Sequence, residues 1–110
     1  NMELITISMK DGVTNIEALE QTVSDKTAAV LIQSPNFLGY LEEIEEVERL
    51  IHRNKGLLIL SVDPISLGLF KSPGEWGADI AIGDGQSLGN SMSFGGPGFG
   101  FMACTKSLIR

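Results

Sequence analysis

Residues 57–66 read Leu-Leu-Ile-Leu-Ser-Val-Asp-Pro-Ile-Ser. Leu57 to Leu60 are apolar without a break, and Val62 prolongs the run. A half-exposed strand would alternate; an unbroken run of this length belongs to a strand covered on both faces, as in a parallel sheet. Asp63-Pro64 ends it, because Asp-Pro favours the start of a turn. In an open α/β sheet, ligands bind beyond the carboxyl ends of the strands. The stretch therefore fixes a buried strand and places a carboxylate where such a sheet does its chemistry.

Reading upstream, Leu41 to Arg53 carries Ile44, Val47, Leu50 and Ile51 at helical spacing. That stripe predicts an amphipathic helix, closed by Asn54-Lys55-Gly56 with Gly56 as its C-terminal cap. Ala28 to Gln33 is apolar at nearly every position and predicts another buried strand, broken by Ser34-Pro35-Asn36. Thr14-Asn15-Ile16-Glu17 fits a capping box, in which Thr14 and Glu17 satisfy each other's amides. Ile16, Leu19 and Val23 continue that helix, and Glu3 to Ser8 (ELITIS) predicts a first strand before the turn Lys10-Asp11-Gly12.

Downstream, residues 63–77 hold two prolines and three glycines and predict a loop with one helical turn. Asp79 to Ile82 predicts a short strand, and Phe99 to Cys104 a last one. The segment Gly83 to Gly100 contains seven glycines and is too loop-like for a crossover helix, so the last strand is expected antiparallel. Strand, helix, strand, helix, strand implies right-handed crossovers. The fold class is α/β: a three-layer α/β/α arrangement around a mostly parallel sheet.

The chain has 110 residues, 43% hydrophobic and 20% charged, which suits one globular domain and excludes disorder. No apolar run approaches the roughly 18 residues of a membrane span, and no basic stretch precedes an apolar segment as in a secretory signal. The net charge of −6 makes it a poor partner for a phosphate backbone. Five of the fourteen carboxylates lie between Glu42 and Glu48 and read as a solvated helix face. One Cys and one His exclude an internal disulfide and a Cys/His zinc site, and the expected compartment is the cytoplasm. Asn1 precedes Met2 and Arg110 carries no end signal, so the chain reads as a single partial domain of a longer protein.

The sequence holds neither a dinucleotide loop nor a Walker loop. Gly83-x-Gly85 is followed by Leu88 where a dinucleotide loop needs a third glycine. No lysine occurs between Lys71 and Lys106, so a Walker loop is absent too. The glycines then read as a flexible connection that permits positive φ and close backbone approach. His52 is expected to be a solvated residue beside Glu48 and Lys55, and Cys104 an inert buried thiol. Trp76 and Phe70 are expected to pack a loop onto the core. From spacing alone, Asp63 is either a turn residue or a ligand to a cofactor ring or metal.

Ser61-Val62-Asp63-Pro64-Ile65-Ser66-Leu67-Gly68-Leu69 closely resembles a segment of the glycine cleavage system P-protein family, in the first-subunit form of its two-subunit bacterial type. The resemblance continues through Gly77-Ala78-Asp79-Ile80, Gly85-Gln86-Ser87-Leu88-Gly89-Asn90, Ser93-Phe94-Gly95-Gly96-Pro97 and Gly100-Phe101. Upstream, Gln33-Ser34-Pro35-Asn36-Phe37 fits as well, so the similarity runs from about Thr27 to the end.

The resemblance implies part of the large domain of an aminotransferase-like fold of type I, which uses pyridoxal phosphate. Members set an Asp against the pyridine nitrogen at the end of a central strand, and Asp63 keeps that place. They set the cofactor-anchoring lysine in the loop after the next strand. Here that loop reads Gly85-Gln86-Ser87, and Gln86 stands for the lysine. An amide cannot bond covalently to an aldehyde as a lysine amine does. The resemblance therefore implies that the second subunit holds pyridoxal phosphate and that this chain has no catalytic residue and no metal. Asp63, Gln86, Ser87 and Asn90 mark a vestigial pocket or an interface element, and the sequence leaves both open.

The implied partners are the second subunit, glycine and the lipoyl H-protein. The family's first strands are missing, and one of them would lie between 3–8 and 28–33, so self-association of the exposed surfaces is expected. Two rivals are a small doubly wound ligand-binding or scaffold module without catalysis, and an autonomous pyridoxal phosphate enzyme using Lys71 or Lys106.

Overall fold

The computed structural model describes residues 2–95 and 98–109. Gly96 and Pro97 of the glycine-rich segment lie outside the described residues, as do Asn1 and Arg110. The main sheet has four strands: β3 (Ala29–Gln33), β4 (Leu57–Ser61), β5 (Ile80–Asp84) and β6 (Gly100–Cys104), adjacent in that order. β4 pairs parallel with β3, from Ala29 opposite Leu57 to Gln33 opposite Ser61. It pairs parallel with β5, Ile59 opposite Ile80. β6 returns antiparallel along β5, with Cys104 opposite Ile80 and Gly100 opposite Asp84. The α/β class, the mostly parallel sheet and the reversed last strand are as the sequence predicts.

Helix α2 (Ile44–Arg53) packs on β3 and β4, and helix α1 (Ile16–Thr22) packs on α2. The core is the predicted stripe Ile44, Val47, Leu50 and Ile51, set against Ile32, Leu58, Leu60 and Leu19. Val47, Ile51 and Leu58 are wholly buried. Strand residues alternate faces, so Leu31, Ile59, Ile80, Ile82 and Met102 share the opposite side. Neither α-helix lies there, and Leu31 is 62% and Met102 72% exposed. The second helical layer of the expected three is not built by α1 or α2, and β3 is covered on one face only.

Residues 3–8 belong to no strand, against the expectation of a first strand there. Leu4 is 94% exposed, whereas Ile7 packs against the core. A strand exists only as half of a ladder, and among the described residues this segment pairs with no strand; its Ser8 carbonyl accepts from the Asn15 amide at 3.0 Å. Pairing starts later, in a hairpin of β1 (Met9–Lys10) and β2 (Val13–Thr14) around Asp11 and Gly12, both at positive φ.

Asn15, not Thr14, caps α1: its side-chain oxygen accepts from the Ala18 amide at 3.1 Å. Thr14 is drawn into β2, and its amide donates to Glu42 Oε2 at 2.8 Å. α2 starts at Ile44 rather than Leu41. At its other end Lys55, not Gly56, adopts the left-handed conformation, φ 62°. Gly56 is required for a different reason: a Cβ there would collide with Ile51 and with the Thr27 carbonyl. The loop 63–77 contains one helical turn, Ser66–Gly68, as predicted.

Candidate functional site

The carboxyl ends of β3, β4 and β5 bring three loops together. The first, Ser34 to Glu42, is held by Asn36, a buried polar side chain. Asn36 Nδ2 donates to the Gly12 carbonyl and to Glu42 Oε1, each at 2.8 Å. Its Oδ1 accepts from the amides of Leu38 and Tyr40, at 3.0 and 3.1 Å. Every hydrogen-bonding group of that amide is near saturation, so Asn36 is a structural knot. The loop it shapes exposes Phe37 by 78%. Glu42, read from the sequence as part of a solvated face, is half-buried and accepts directly from Asn36.

The second loop presents Asp63. Its Oδ1 accepts from the Ile65 amide at 2.9 Å and from the Ser87 hydroxyl at 2.7 Å. The first bond is the turn that Asp-Pro predicts; the second crosses to the loop after β5. Asp63 and Ser87, both singled out in the sequence, are thus in contact, and both lie at the surface.

The third loop starts with a one-turn helix, Gln86–Leu88. Asp84 Oδ1 accepts from the Gln86 amide at 2.9 Å, and the Gln86 side-chain amide donates to the Asn90 carbonyl. Asn90 therefore takes part through its backbone. Gly89 turns the chain at φ 106°. A Cβ at Gly83 would meet Val62 and Phe101, and one at Gly85 would meet the Phe99 ring. The Gly85 amide also donates to the Phe99 carbonyl at 2.8 Å. The start of the glycine-rich segment is clamped against β6 and is not a loose connection.

Beside these loops a cavity of about 240 Å³ is lined chiefly by Pro35, Leu60, Val62, Leu67, Phe70 and Trp76. Trp76 packs against the core as predicted; Phe70 is 40% exposed and reaches it only through the cavity wall. Neither rival lysine faces Asp63. Lys71 stands 4.3 Å over the Trp76 ring and 3.4 Å from Glu45 Oε1. Lys106 follows β6, whose end pairs with the start of β5, so it lies at the opposite end of the sheet.

Two expectations are corrected here. Cys104 is exposed, because β6 is an edge strand and its residue faces the uncovered side. His52 keeps its expected neighbours Glu48 and Lys55 and is about a third exposed, but it is held on both sides rather than solvated freely. Its ring lies between Glu48 Oε1 at 2.7 Å and Asp79 Oδ2 at 2.8 Å, and its pKa is raised, most by the Asp79 hydrogen bond. The sequence gives no sign that Asp79 meets His52, since a partner 27 residues away leaves no local signal.

Residues 3–110 match the family described as glycine cleavage system P-protein. A relative from Carboxydothermus hydrogenoformans, named probable glycine dehydrogenase (decarboxylating) subunit 1, is 57% identical over 109 residues, which are 99% of this chain and 24% of that protein. A crystal structure of glycine decarboxylase (P-protein) of the glycine cleavage system, in inhibitor-bound form, superposes with a TM-score of 0.90 at 44% identity, over 97% of this chain and 24% of that one. A pyridoxamine-pyruvate aminotransferase from Mesorhizobium loti shares the fold at 18% identity, with a TM-score of 0.62 over 86% of this chain and 24% of that one. The chain thus spans about a quarter of the length of the curated relative it matches. The chain has an aminotransferase-like α/β fold, and it belongs to the glycine cleavage system P-protein family.

Proposed function

We propose that the natural polypeptide carrying this chain works as the first subunit of a cytoplasmic glycine decarboxylase. With a second subunit it decarboxylates glycine and passes the aminomethyl group to the lipoyl arm of the H-protein. Within that assembly this chain does not anchor pyridoxal phosphate; the second subunit does.

The observation that carries the reading is the state of Gln86 and Asp63. Covalent anchoring needs an amine at the aldehyde, and the position in the loop after β5 holds an amide already bonded to the Asn90 carbonyl. One oxygen of the carboxylate that would face a ring nitrogen, Oδ1, accepts from the Ile65 amide and the Ser87 hydroxyl. The residues present therefore do not fit covalent binding of the cofactor, and no chemical step is assigned to this chain. They fit a fixed surface: three braced loops at the carboxyl ends of the strands, offered to the partner subunit. Lys71 and Lys106 give the autonomous-enzyme reading no support, since one is paired with Glu45 and the other lies at the far end of the sheet. The open apolar face bearing Leu31 and Met102 supports the expectation that the chain self-associates when produced alone.

The test is complementation. The natural polypeptide, purified alone, should not release carbon dioxide from glycine. Adding the second subunit, the cofactor and the H-protein should restore turnover. Turnover by the first subunit alone would overturn the reading.

A further inference from the structure

His52 stands in the last turn of α2, at the end of the sheet opposite Asp63. Each ring nitrogen has a carboxylate of its own: Nδ1 meets Glu48 at 2.7 Å and Nε2 meets Asp79 at 2.8 Å. A neutral imidazole carries one N–H. It can donate to one of these carboxylates and must turn a lone pair towards the other. Only the imidazolium donates to both. The geometry is therefore that of a charged histidine held between two acids.

Asp79 is built into the sheet at the same point. Its Oδ2 also accepts from the Leu58 amide at 2.9 Å, its own amide donates to the Leu58 carbonyl at 2.9 Å, and its carbonyl accepts from the Thr105 amide at 2.9 Å. The Asp79 carboxylate thus ties the start of β4 to a side chain of α2, while its backbone bonds β4 and the residue that follows β6. The three groups do not converge on a common point as metal ligands would, because the ring separates the two carboxylates; among the described residues no metal-holding group of three is present. We propose that Glu48, His52 and Asp79 form a proton-dependent clasp, which fastens the end of α2 to the sheet while His52 is charged and loosens when it loses its proton.

The charges that act on the ring are Glu48, from its own helix, and Asp79, from the sheet. β4 meets the cluster through the Leu58 amide and β6 through the Thr105 amide, both neutral. α1 reaches α2 through Glu20 and Arg53, at 3.3 Å, and that pair does not touch the ring. The Asp79 hydrogen bond raises the imidazole above its ordinary value; partial burial opposes it, and Glu48 adds to the rise. A cation in the last turn is also favoured by the helix dipole. The sign follows. With the folded value above the unfolded 6.5, the stabilisation is complete below 6.5 and is lost as the pH rises through the folded value. The clasp opens towards alkaline pH. The side chain is about a third exposed, so added salt weakens the effect.

Hydrogen exchange read by mass spectrometry tests this on the natural polypeptide at pH 6 and pH 9, corrected for the intrinsic pH dependence of amide exchange. Peptides spanning residues 48–60 and 78–84 should lose protection severalfold at the higher pH, with α1 unchanged. In His52→Gln the ring is gone and the pH response should vanish. In Glu48→Gln, a milder change at a half-exposed site, the response should shrink. A wild-type response that persists unchanged in both variants, or the absence of any wild-type response, would overturn the proposal.

Discussion

The two ends of the parallel strands are built differently. At the amino ends, Leu58 is wholly buried, Asp79 bonds two strands and a helix, and Gly56 packs against Ile51. At the carboxyl ends, large apolar side chains face outward: Phe37 is 78% exposed and Leu69 87%. Yet those outward loops are not slack, since Asn36, Asp63 and Gly85 each fix one of them. One end spends its groups on holding the sheet, and the other on presenting a shaped surface. That division is the usual one for loops carried on an α/β scaffold.

The largest test of the contrast is a pair of truncations. Leu58→Ala should destabilise the natural polypeptide by about 2–5 kcal/mol, the range for a buried leucine that leaves a cavity. Leu69→Ala at the other end should stay within about 0.5 kcal/mol. Denaturant unfolding reads both, and equal losses would break the contrast. A finer pair uses the glycines. Gly56→Ala meets the Thr27 carbonyl and a buried Ile51 side chain, neither free to move, and should lose about 1–3 kcal/mol. Gly85→Ala meets the ring of Phe99, which is 51% exposed and can swing aside, so its loss should be smaller. The smallest effect belongs to Ser87→Ala. It removes one surface hydrogen bond to Asp63, so thermal unfolding should shift by no more than about 0.5 kcal/mol permits.

What the sequence disclosed, and what it withheld, follows from how far each interaction reaches. The run Leu57 to Leu60 and the stripe Ile44, Val47, Leu50 and Ile51 are local patterns, and both elements stand where they point. Thr14 and Asn15 are both capping residues, Asn the stronger; Thr14 instead pairs with Met9 in the hairpin and its amide donates to Glu42, 28 residues away, contacts that no local pattern shows. Glu3 to Ser8 has the composition of a strand but pairs with none, and composition does not reveal pairing. Cys104 lies in an apolar run, and only the strand order shows that the run is an edge. At the site, the place of Asp63 was legible from Asp-Pro after a buried strand. Its contact with Ser87, 24 residues on, was not.

The central claim is that this chain carries no covalent anchor for pyridoxal phosphate. The direct measurement is borohydride reduction of the assembled subunits with pyridoxal phosphate, followed by mass analysis of each subunit. The account predicts a stoichiometric adduct on the second subunit and none on this chain. A stoichiometric adduct on Lys71, Lys106 or any other lysine of this chain would contradict it.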